Sequence, residues 1–142
     1  MRLKVDKRTR ARELAMQAIY QLDVQGPELL NRLGFFFLTS EPEDIEIRKL
    51  ADKWTRQTWE NLQACDEMIE SSTLKWGLAR LSFVDKSILR LSVYQLKFCV
   101  DIPAKVVINE GIELAKKFSA EQSPSFVNGV LDAVLNKLKE QK

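Results

Sequence analysis

Apolar residues recur along most of this chain at steps of three and four, the spacing that gathers them on one side of a helix. Between Thr9 and Val24 the stripe is Ala11, Leu14, Ala15, Ala18, Ile19 and Leu22, with Thr9 as N-cap and Gly26-Pro27 as the stop. Leu29, Leu30, Leu33, Phe36 and Phe37 predict a shorter second helix, weakened by Gly34 and ended before the polar stretch TSEPED. Ile47, Leu50, Trp54, Thr58, Leu62, Cys65 and Ile69 keep the same step with no Gly or Pro, so one long third helix is predicted from Glu43 to about Glu70. Trp54 lies on this stripe and is assigned to packing, because aromatic side chains at helical spacing are more often core than ligand platform.

The segment from Ser71 to Ser82, with Gly77 inside it, reads as a connection with room for a short helical turn. It divides the chain into an N-terminal half over 1–71 and a C-terminal half over 83–142, with 72–82 between them. Val84, Ile88, Leu91, Gln95 and Phe98 trace the next helix, which stops at Asp101 and Pro103. Pro103 opens another, carried by Ile108, Ile112, Ala115 and Phe118. The last begins with Ser123 as N-cap and Pro124 in the first turn, and it buries Val127, Val130, Leu131, Val134 and Leu138 before a tail, KEQK, that is expected to fray. No stretch alternates with period two for long enough to make a strand, so the fold class is all-α, in two helical halves with about seven helices.

Composition changes the picture mainly by exclusion. A chain of 142 residues with 45% hydrophobic positions buries enough surface to fold without disulfides or a structural metal. The longest apolar run, Phe35 to Leu38, is far short of the ~20 residues that span a bilayer, and no secretory signal opens the sequence, so the protein is expected in the cytoplasm. With no His there is no Ser/His or Cys/His pair and no imidazole ligand. Cys65 and Cys99 fit neither a redox nor a zinc spacing and read as small core residues. GxGxxG and GxxxxGK[ST] strings are absent. Catalytic residues, metal ligands and cofactors are therefore not expected, and the chain does not read as an enzyme.

Charge adds a positive clue. The net charge is +2, yet residues 1–12 hold Arg2, Lys4, Lys7, Arg8, Arg10 and Arg12 against Asp6 alone, a local +5 that leaves −3 on the remaining 130 residues. A basic arm that runs into the first helix is the footprint of a protein that meets phosphates.

Three stretches together resemble the NusB family of bacterial transcription antitermination factors: RARELAMQAIYQLD at 10–23, FVDKSILRLSVYQLKF at 83–98, and PAKVVINEGIELAKKFSAEQSPSFVNGVLDAVLNKL at 103–138. The resemblance implies an all-α fold of two three-helix subdomains joined by a connecting segment. It also implies binding of boxA-type single-stranded RNA from ribosomal RNA transcripts, together with NusE, a small-subunit ribosomal protein, within the RNA polymerase antitermination complex. It implies neither a membrane partner nor DNA sequence recognition. Carried over position by position, the RNA-binding candidates are Lys7, Arg8, Arg10, Arg12, Gln17 and Tyr20, where guanidinium groups suit phosphates and amide or aromatic groups suit exposed bases. Tyr20 serves equally as core. Phe118 and Phe126 are the candidates of the second half, and both also suit packing between the last two helices. The partner face falls on Asp85, Glu121 and Gln122, with Arg90 as the neighbour to be neutralised. Gly129 is expected to allow close helix approach, and Asn128 to satisfy a backbone group. Thr9 stands where many relatives carry another arginine, and Gln122, Pro124 and Ser125 depart from the common pattern. Two other readings stay open: a stand-alone relative of the RNA-binding domain of ribosomal RNA cytosine methyltransferases, and a helical interaction module without RNA contact. For the first, this length leaves no room for a methyl-donor domain.

Overall fold

The computed structural model describes residues 6–73 and 77–141; Arg2 and Lys4 of the basic arm and residues 74–76 of the connection lie outside them. The described residues form seven α-helices and two short 3-10 turns, with no strand among them. They fall into two compact units, Met1–Glu60 and Asn61–Lys142.

In the first unit α1 spans Lys7–Gln25, three residues longer at its start than Thr9 as N-cap would allow. The cap is Asp6, whose carboxylate accepts from the backbone N–H of Arg8 at 2.8 Å and of Thr9 at 3.4 Å. The helix ends at Gly26, whose φ of 110° belongs to the region that glycine enters without steric cost. A 3-10 turn over Pro27–Arg32 leads into α2, Leu33–Ser40. Next comes α3, Ile45–Glu60, which Asp44 caps by accepting from the N–H of Glu46 at 3.0 Å and of Ile47 at 3.1 Å. The apolar stripe of α1 packs chiefly on α3, and α2 adds Leu33 and Phe37 to the buried set.

The long third helix expected from the sequence is two helices. Asn61 leaves helical geometry at φ −107° and ψ 22°, and α4 restarts over Leu62–Ser72. Asn competes with helix geometry through its own short polar side chain, and the apolar step happens to stay in phase across the break, so periodicity does not register it. Because α4 packs with α5 and α7, the division between units falls at 60/61 rather than in the 72–82 connection. The turn expected in that connection is the 3-10 turn Leu78–Arg80.

The second unit is built around α5, Phe83–Phe98, which is buried without interruption from Ser87 to Gln95 and touches α4, α6 and α7. A helix wrapped on all sides needs no polar face, which is why its stripe looks broad in the sequence. Following it are α6, Ala104–Phe118, and α7, Ser123–Glu140. Close approach on α6 depends on Gly111, where an added methyl would lie 3.0 Å from Ser92 Oγ and 3.2 Å from Leu131 Cδ1. Gly129, expected to have that role, is exposed with open space beside it. At α7 the cap position belongs to Gln122; the Ser123 hydroxyl, expected to cap, instead donates to Asp85. The tail expected to fray is helical through Glu140. Among the described residues no helix is long and apolar enough to cross a membrane.

Candidate nucleic-acid interface

The basic residues at the start of α1 divide by helical position. Lys7 and Arg8 are exposed. Lys7 Nζ lies 3.1 Å from Glu46 Oε2 and 3.4 Å from Asp44 Oδ2. The hydrogen bond with Glu46, then the one with Asp44, raises the lysine's pKa above its ordinary value. Asp44 is held below the usual carboxylate range, first by the Ile47 N–H and, against a smaller cost of burial, by Lys7. Arg10 is half-buried and spends its guanidinium inside the unit: Nε donates to Glu41 Oε2 and Nη1 to Glu13 Oε1, both at 2.8 Å, and Nη2 to the Ser40 carbonyl at 3.2 Å.

Arg12 is not a surface residue. Only 3% of it is exposed, and its guanidinium carbon sits 5.2 Å from the centre of the Trp54 ring. It shares a helix face with Met16 and Ile19, four and seven positions on, so its stem belongs to the apolar stripe while its charge rests on an indole face. Residue type pointed to phosphate; helical phase puts the side chain indoors. Gln17 and Tyr20 are half-buried and follow Arg10 and Glu13 at helical intervals, so Arg10, Glu13, Gln17 and Tyr20 make one polar strip along α1.

In the second unit, Arg80, Leu81, Ser82, Asp85, Gln122 and Phe126, with Ala120 and Ser123, line an open cleft of about 370 Å³. Asp85 is half-buried and holds the α6–α7 turn: Ser119 Oγ donates to Oδ1 at 2.6 Å and Ser123 Oγ to Oδ2 at 3.0 Å. Glu121 and Gln122 are exposed on that turn. Phe118 is half-buried with Lys117 Nζ 5.3 Å from its ring centre, and it is not among the cleft's lining residues. Arg90 is outside the surface altogether. It is 6% exposed and forks onto Asp66 of α4, Nε to Oδ1 at 2.8 Å and Nη2 to Oδ2 at 2.9 Å, so an internal carboxylate neutralises it rather than a partner. No group of metal-ligating side chains occurs among the described residues.

Sequence reasoning missed the carboxylates Glu41, Asp44 and Glu46 beside the basic arm, and Arg80 at the cleft. The polar stretch after α2 was visible as a helix stop, but its pairing with residues more than 30 positions earlier has no local signal.

The family model described as the NusB family matches residues 9–136. The chain belongs to the NusB family. The transcription antitermination protein NusB of Anaeromyxobacter dehalogenans is 46% identical over 132 residues, which cover 93% of this chain and 92% of that one. A solved NusB of T. maritima superposes with a TM-score of 0.79 at 35% identity, covering 95% of this chain and 94% of its own. A chain from a crystal structure of the antitermination factors NusB and NusE in complex with double-stranded RNA gives a TM-score of 0.81 at 26% identity, covering 92% and 97%. Among NusB relatives, then, the likeness extends over nearly the whole length on both sides.

Proposed function

We propose that this NusB-family chain is a transcription antitermination factor that binds boxA-type single-stranded RNA with NusE and promotes read-through by RNA polymerase in the cytoplasm. The observation that carries the reading is the composition of the α1 surface. Exposed Lys7 and Arg8 lead into the strip Arg10, Glu13, Gln17 and Tyr20, which offers cations for phosphates and amide and aromatic groups for bases from one rigid helix. The names of its relatives and the NusE and RNA content of a structural neighbour support it. No step of this function needs a reaction at the protein, and the residues act by binding.

In the second unit Glu121 and Gln122 present the polar face offered to the basic partner NusE, Asp85 positions their turn through the two serines, and Phe126 supplies an aromatic wall of the cleft. With Arg12 indoors, phosphate contact rests on Lys7, Arg8 and Arg10. About three contacts, each with a slope near −0.7, give an affinity for boxA-type RNA that falls about 20-fold between 50 and 200 mM salt. Titration of the RNA at several salt concentrations, with wild type and Arg8→Ala, checks this. A flat salt response, or an unchanged affinity in Arg8→Ala, removes α1 from the interface. The same titration with NusE present measures the coupling, which by linkage is equal for RNA on NusE and NusE on RNA.

A further inference from the structure

We propose that the acidic segment running from the α2–α3 turn into the first turn of α3 sets the selectivity of the basic arm, with Glu41 and Glu46 occupying Arg10 and Lys7 so that a bare phosphate chain gains little there. The proposal rests on the RNA-binding reading above. In the structure, three carboxylates of one short segment, Glu41, Asp44 and Glu46, meet two cations that lie more than 30 residues away in sequence. Glu46 and Asp44 both reach the same ammonium. Glu41 and Glu13 take two sides of one guanidinium, and the Ser40 carbonyl takes a third donor. A phosphate approaching these groups must break an ion pair before it makes one, so the charge attraction that serves any polyanion nearly cancels. An RNA that also places bases on Gln17 and Tyr20 gains contacts that a random polyanion lacks, and it alone meets the cost with a surplus. Arg8 stands outside the clamp and keeps the long-range attraction.

Asp44 also caps α3, so the test leaves it in place. Glu46→Gln and Glu41→Gln remove the charge and keep an acceptor oxygen, and Glu28→Gln, an exposed site in the same unit, is the control for net charge. The probes are a boxA-type single-stranded RNA and a scrambled RNA of equal length. Each of the two variants is expected to bind scrambled RNA about two- to fivefold more tightly than wild type, the size of one exposed ion pair that no longer has to be broken. For scrambled RNA, loosening either pair also steepens the logarithmic salt slope, by at most about 0.7, because Asp44 stays on Lys7 and Glu13 on Arg10. The boxA-type RNA gains no more than this, so the ratio of the two affinities does not rise. Lys7→Ala in the Glu46→Gln background abolishes the gain, because Glu46 acts through that ammonium. A gain equal to that of Glu28→Gln, or one that survives Lys7→Ala, overturns the clamp while leaving RNA binding intact. If wild type and all variants bind neither RNA, the RNA-binding reading falls and the clamp falls with it.

Discussion

Arg10 and Arg12 are two positions apart on α1 and have opposite surroundings. Arg10 makes three polar contacts from a half-buried position, while Arg12 lays its stem in the apolar stripe and its charge on Trp54. Arg10→Ala should therefore cost at most about 1 kcal/mol, the range of partly exposed ion pairs. Arg12→Ala should cost about 1–3 kcal/mol, because packing and an indole contact go together. Urea denaturation of the two variants checks the order, and equal losses would put Arg12 back on the surface. Removing the partner of Arg90 is harsher. Asp66→Ala leaves a guanidinium inside the unit without its carboxylate, and since Asp66 is 22% exposed and reached by water, a loss of about 2–4 kcal/mol is expected. Replacing both members, Asp66→Leu with Arg90→Met, should recover much of that loss; if the double variant is as unstable as the single one, the charge was not the cause.

At the scale of elements, the glycines of the second unit separate two reasons for having no side chain. Gly111 is walled by Ser92 and Leu131, so Gly111→Val should overpack the α5, α6 and α7 contact and cost about 1–3 kcal/mol. Gly129 has open space and a helical backbone, so Gly129→Ala should stabilise by about 0.5–1 kcal/mol. Thermal melts of both variants decide it, and a destabilised Gly129→Ala would mean that the α7 surface is tighter than described. Elements with a one-sided stripe or a strong stop were legible in the sequence: α1 by its apolar spacing and Gly26, α6 by Pro103, and α7 by Pro124. What was not legible shares one property. The break at Asn61 keeps the apolar stripe in phase, and the inward turn of Arg12 depends on what α3 places opposite it. The pairing of Lys7 with Glu46 and of Arg90 with Asp66 joins residues that no periodicity relates. Local pattern names the elements, whereas side-chain partners across elements need the packed structure.

Across the whole molecule, the distinctive features divide between the two units. The basic arm and its acidic clamp belong to the first unit, both cysteines belong to the second, and the motif-level likeness to NusB relatives spans both. The cysteines carry a consequence for measurement. Cys65 is wholly buried, and that burial, helped by neighbouring Asp66, pushes its thiol up to about 12; Cys99 is half-buried at the end of α5. Since the thiolate is the reacting form, iodoacetamide should modify Cys99 first and reach Cys65 only in molecules whose second unit has opened. Mass spectrometry of the doubly modified chain then times that opening in water, without denaturant. The clock should run faster in Asp66→Ala than in wild type, and a Cys65 that reacts as quickly as Cys99 in the native protein would show that the unit breathes without unfolding.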